Sequence, residues 1–153
     1  MRIIRKIYCR TFQTVFRAAL PFLPYRNPRI VPSVAGIPDV CRRNKVRSVM
    51  IVTDSGIRTL GLTGFLEKTL EEAGISFCIY DRTVANPTIW NVEEARELYL
   101  EQGAEAIIAF GGGSSMDCAK GAGARIVKPR QSIRRMKGLL KVHKRLPLLI
   151  AVP

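Results

Sequence analysis

Apolar and polar positions along the chain change period several times, and each change marks an element. Ile3, Ile4, Ile7, Tyr8, Phe12, Val15, Phe16, Ala19 and Leu20 recur at helical spacing, with Arg2, Arg5, Lys6, Arg10, Gln13 and Arg17 between them. That spacing predicts a basic amphipathic helix over residues 2–20, stopped by Pro21 and Pro24. Pro21, Pro24, Pro28, Pro32 and Pro38 predict an extended connector over residues 21–38. Regular alternation follows. Residues 46–53 read as a strand, 60–73 as a helix closed by Gly74, and 75–80 as a second strand. Residues 92–102 read as a helix closed by Gly103, and 106–110 as a third strand. Three glycines and a helix through Ala124 come next, and 146–152 read as a fourth strand. Strands separated by helices of this length imply crossovers and a parallel sheet. The expected architecture is therefore α/β, a Rossmann-like parallel sheet with helices on both faces behind an N-terminal amphipathic helix. The expected organisation is 1–40 as helix and proline-rich connector, and 41–153 as a dinucleotide-binding α/β domain.

Charge divides the chain differently. Residues 1–50 carry eleven Lys or Arg against Asp39 alone, residues 125–145 carry nine with no acid, and residues 51–124 carry five against eleven acids. A nucleic-acid protein gathers its positive charge around its binding surface with aromatics to stack bases. Here the basic segments lie outside the α/β pattern, which argues against a nucleic-acid partner. No run of eighteen apolar residues exists in the chain, and charges run through the first helix, so it reads neither as a membrane span nor as a secretory signal. Three readings of that helix stand: docking on its own domain or a second subunit, contact with an anionic membrane surface, or a transit peptide. Cys9, Cys41, Cys78 and Cys118 show no paired ligand spacing. Cys78 and Cys118 fall in apolar segments, as reduced core residues of a cytoplasmic protein do. The single histidine, His143, sits in a lysine-rich stretch and gives no thiol a catalytic partner.

The glycine run carries the chemistry. Gly111, Gly112 and Gly113 leave no Cβ atoms in the way, so backbone N–H groups can turn toward an anion. Ser114 or Ser115 suits an N-cap, and the helix start adds partial positive charge. The expected result is a phosphate cradle at the carboxyl end of a strand. It is not a Walker loop, because Lys120 comes too late and precedes Gly121, nor a Rossmann fingerprint, because Met116 stands where glycine or alanine belongs. Asp54 and Asp81 end the first and second strands on the same edge. A carboxylate there can accept from a ribose diol and repel a 2′-phosphate, or it can cap a helix or turn. Asp117 is expected in the first helical turn, where the dipole stabilises a carboxylate.

VTDSG at 52–56, ANPTI at 85–89 and AIIAFGGGSSMDCAKGAGA at 106–124 resemble the iron-dependent (group III) alcohol dehydrogenases over residues 40–153. The family's usual loop has proline where Ser115 stands, a mild change because serine also starts helices well. The resemblance implies that Gly111, Gly112, Gly113 and Ser114 hold the pyrophosphate of NAD. It also implies that Asp54 meets the adenine ribose and favours NAD over NADP. Asn86 would lie near the cofactor and Asp117 near its nicotinamide half. The implied chemistry is reversible hydride transfer between a small alcohol or aldehyde and the nicotinamide ring. Iron(II) or another divalent metal would polarise the substrate oxygen. In the family one aspartate and three histidines from a helical C-terminal domain hold that metal, and this sequence offers no such set. The resemblance thus implies the N-terminal cofactor-binding part of such an enzyme, truncated before the metal domain. The 153 residues alone are expected to be inactive, marginally stable and self-associating. The alternatives are a non-catalytic nucleotide-binding fragment and a membrane- or partner-docking module led by the basic helix.

Overall fold

The computed structural model describes residues 2–19, 28–138 and 141–153. The chain divides into two compact units, Met1–Ile30 and Val31–Pro153. The first contains one helix, α1 (Arg2–Ala19), as its periodicity predicts. Residue 20 of the expected helix and residues 21–27 of the expected connector lie outside the described residues. The rest of that stretch is not simply extended. A 3₁₀ turn at Val34–Gly36 runs into α2 (Ile37–Arg43), which carries Pro38 in its first turn. Proline is at home there, since its missing N–H would have no partner at a helix start. The expected 40/41 boundary therefore falls inside α2.

Four five-residue strands form one sheet: β1 (Ser48–Val52), β2 (Ser76–Tyr80), β3 (Ala106–Phe110) and β4 (Leu148–Val152). Their order is β2-β1-β3-β4, and every pair is parallel. Side chains alternate across the sheet, and the core divides accordingly. Met50, Val52, Ile107 and Ala109 face one way, packed with Val92, Ala95 and Tyr99 of α5 (Ile89–Glu101) and Cys118, Ala119 and Ala122 of α6 (Gly113–Val127). Val49, Ile51, Ala106 and Ile108 face the other way, packed with Ile37 and Cys41 of α2 and Leu66 and Leu70 of α4 (Gly64–Glu72). Helices cover both faces, as the pattern predicted. Burying each such aliphatic side chain contributes about 1.5–3 kcal/mol. Burial also raises the pKa of the Cys41 and Cys118 thiols above the usual cysteine range, which suits inert core residues.

The helix expected over 60–73 is broken in two. Asp54 starts a short α3 (Ser55–Thr59), Gly61 turns the chain in the left-handed region, and α4 begins at Gly64. Burial is also uneven among the strands. Val49, Met50, Ile51 and Val52 are fully buried, whereas β4, at the sheet edge, is half-buried with Ala151 exposed.

Candidate functional site: a strand-end cradle

The parallel register brings the carboxyl ends of the strands level: Val52 pairs with Tyr80 and Ala109, and Phe110 pairs with Val152. The loops that leave those ends meet on one edge, where α/β sheets take ligands. After β3 the chain turns through Gly111 at φ 118°, a region that residues with a Cβ rarely enter. A side chain there would also collide with Ile57 Cδ1 and come within 3.3 Å of Ser115 Oγ and 3.8 Å of Asp54 Oδ2. Gly111 is fixed by its own N–H, which donates to the Val152 carbonyl at 2.8 Å. A Cβ on Gly112 or Gly113, by contrast, would meet nothing within 4 Å, so the space beside them is open.

The start of α6 departs from the expected serine cap. Gly112 is the N-cap, no side chain caps the helix, and Ser114 and Ser115 fall inside the first turn. The first recorded bond onto the cap runs from the Met116 N–H to the Gly112 carbonyl, at 3.3 Å. The preceding N–H groups of such a turn have no intrahelical partner. Ser114 is occupied otherwise: its Oγ accepts from the Asn86 N–H at 3.3 Å. Asn86 itself sits at φ 56°, in the left-handed region that asparagine tolerates. Asn86 and Ser114 are thus brought together across two loops. Ser115 Oγ is buried without a partner, as are the hydroxyls of Thr53 and Thr83, which follow β1 and β2. Thr53 and Thr83 were not singled out from the sequence; Ser115 was, as a helix start rather than as a buried hydroxyl. For Thr53 the available signal was a hydroxyl residue immediately beyond an apolar strand.

Asp54 takes the capping role. Its Oδ1 accepts from the Ile57 N–H at 3.0 Å and caps α3, while Oδ2 faces the space above Gly111. Asp81 directly follows β2 and is half-buried. Asp117 is not in the first turn. It is the fifth residue of α6, its side chain is 68% exposed, and its partner is Lys120 Nζ at 3.6 Å. A residue that far along a helix gains little from the dipole at its start.

The third helix on this edge is closed. Thr88 caps α5 in a reciprocal box: the Asn91 N–H donates to Thr88 Oγ1 at 3.2 Å, and the Thr88 N–H donates to Asn91 Oδ1 at 3.1 Å. Asn91 Nδ2 donates onward to the Tyr80 hydroxyl and the Arg82 carbonyl, and Tyr80 donates to Glu94 Oε2 at 2.8 Å. Burial pushes the Tyr80 hydroxyl above its ordinary range.

An uncapped helix start, a glycine whose Cβ would fill the turn and an orphaned buried hydroxyl lie together at the end of β3. They belong to a parallel α/β domain whose strand-end loops meet on one edge. Metal is a different matter. Among the described residues no three His, Cys, Asp or Glu side chains converge to hold an ion, so they do not fit a resident iron.

Comparison with known proteins makes the class specific. Residues 31–153 match the family model described as iron-containing alcohol dehydrogenase, and the chain belongs to that family. It is 42% identical over 82 residues to alcohol dehydrogenase 4 of Saccharomyces cerevisiae, covering 54% of this chain and 22% of the yeast protein. It is 31% identical over 122 residues to lactaldehyde reductase of Escherichia coli, covering 79% of this chain and 32% of that one. The alcohol dehydrogenase from Oenococcus oeni superposes with a TM-score of 0.71 at 30% identity, over 77% of this chain and 31% of the solved one. The chain thus spans between a fifth and a third of the length of the curated relatives it matches. The family is one of alcohol and aldehyde oxidoreductases, and the part matched here is the N-terminal, cofactor-binding part. Among the described residues no helix is long and apolar enough to cross a membrane.

Proposed function

We propose that residues 31–153 are the nicotinamide-dinucleotide-binding part of an oxidoreductase acting on a small alcohol or aldehyde. The open start of α6 carries this reading, because the other two helices that leave the same edge are capped by Asp54 and Thr88. Gly111 sets the turn, Gly112 and Gly113 let the pyrophosphate approach the backbone, and the first-turn N–H groups donate to it. Ser114, bridged to the Asn86 N–H, holds the β2–α5 loop against the cradle, which puts Asn86 beside the cofactor. The free oxygen of Asp54 accepts from the adenine ribose and disfavours a 2′-phosphate, giving NAD preference over NADP. Asp117 belongs to the nicotinamide half, further along α6. Bound nicotinamide supplies a hydride acceptor or donor; the residues of this chain hold and orient it. We assign no metal ligand to the described residues.

Half-buried β4, together with exposed Leu60, Leu62 and Phe65, supports self-association of the 153-residue chain. The buried thiols of Cys41 and Cys118 support a reducing, cytoplasmic setting.

The test is a titration of the chain with NADH, read by nicotinamide fluorescence and by displacement with NAD. Saturable binding that NAD displaces supports the reading. Absence of binding by a chain whose circular dichroism and melt are those of a folded α/β domain rejects it. Light scattering tests association: a monomeric mass at working concentration rejects that part.

A further inference from the structure

Helix α1 lies outside the residues that match the family, and the cofactor reading makes no use of it. Lys6, Arg10, Gln13 and Arg17 follow one another at intervals of four, three and four, so they share one face. Tyr8, Thr11 and Val15 hold the same spacing on the other face, flanked by Ile7 and Phe12. Ile7, Tyr8, Phe12 and Val15 are 60%, 70%, 48% and 64% exposed. The rings of Tyr8, Phe12 and Phe16 stack in sequence, with centroids 6.5 and 5.9 Å apart, and make a continuous apolar ridge.

Charge selects among the occupants of that ridge. Residues 1–30 contain seven Lys or Arg and no acid, a net +7, while residues 31–153 carry eighteen against twelve, a net +6. Taken whole, a second copy of this chain brings net like charge to α1; only its residues 51–124, five Lys or Arg against eleven acids, bring opposite charge. An anionic lipid surface brings opposite charge to the basic face and an acyl boundary to the apolar one.

We propose that α1 docks the protein on an anionic lipid surface, lying in its plane. Ile7, Tyr8, Phe12 and Val15 enter the acyl boundary, while Lys6, Arg10 and Arg17 stay at headgroup level.

The experiment uses the full chain and vesicles of phosphatidylcholine, alone or mixed with phosphatidylglycerol, separated by sedimentation. Partition onto the anionic vesicles is expected to exceed that onto neutral ones by about tenfold or more, and to fall several-fold when salt rises from about 0.1 to about 0.5 M. The double variant Ile7→Ser, Phe12→Ser keeps the net charge and is expected to lose about tenfold of that partition. Its NADH titration and its melt should match those of the parent chain. Equal partition onto neutral vesicles overturns the proposal. Unchanged partition of the serine variant also overturns it, because the overall positive charge would then suffice. Loss of a dimer in the serine variant, with no vesicle binding by the parent, assigns the ridge to a second copy instead.

Discussion

Helices α5 and α6 leave the same edge of the sheet and begin in opposite ways. At α5 the protein makes its own cap: Thr88 and Asn91 bond each other reciprocally, and Asn91 passes the network to Tyr80, Arg82 and through Tyr80 to Glu94. At α6 two serines are within the first turn, yet neither caps the helix, and Ser115 has no partner at all. Capping contributes about 1 kcal/mol, so leaving it unmade is a stability cost. The difference teaches where to look for a ligand. The start of α5 is finished by the protein itself, and the start of α6 is left open, which is why the proposed function puts the pyrophosphate there.

The contrast can be broken most forcefully at Gly111. Gly111→Ala must place a Cβ at φ 118° and against Ile57, and is expected to cost about 1–3 kcal/mol in stability and at least tenfold in NADH affinity. Denaturant melts and NADH titration read both effects; an affinity within about twofold of the parent would remove Gly111 from the cradle. The contrast can next be erased by giving α6 a cap. Gly112 has the extended backbone an N-cap needs, so Gly112→Asp should raise stability by about 0.3 kcal/mol and weaken NADH by about fivefold, because its carboxylate takes the donors and repels the phosphates. A variant that is stabilised and binds NADH as before would place the pyrophosphate elsewhere.

The converse test removes the cap that exists. Thr88→Ala should cost about 1 kcal/mol in thermal or urea melts and leave NADH affinity within about twofold. A large loss of affinity would mean that α5 too is part of the site. Asp54 lies between the two cases. Asp54→Asn keeps an oxygen to cap α3 and removes the charge, so nucleotide preference should shift toward NADP by about threefold, with little change in the melt. An unchanged ratio of the two nucleotides would leave Asp54 as a cap and nothing more.

How much of this was legible in the sequence follows from the range of each signal. The four strands and the glycine turn were legible because apolar runs and glycines act locally. The start of α5 was placed at Val92, three residues late, because periodicity registers the first buried apolar residue rather than the cap. The signal that would have found it is Thr88 with Asn91 three residues on. The break between α3 and α4 was hidden because Leu60, Leu62 and Phe65 extend the apolar positions ahead of buried Leu66 and Leu70, although those three side chains are exposed. The central position of β1, between β2 and β3, has no local signature, since it arises from pairing between distant segments. The orphaned hydroxyls of Thr53, Thr83 and Ser115 were illegible for the same reason: burial is a property of the assembled edge.

The bond from the Gly111 N–H to the Val152 carbonyl has a dynamic consequence. β4 pairs with β3 alone and is the half-buried edge of the sheet, so it belongs to the part of the domain that opens most readily. Each time that edge frays, the turn beneath the phosphate position loses its anchor. The amide of Gly111 should therefore exchange its hydrogen in step with those of β4 rather than with the slow, central amides of β1. Nucleotide binding would then slow exchange in a strand whose side chains need not touch the ligand.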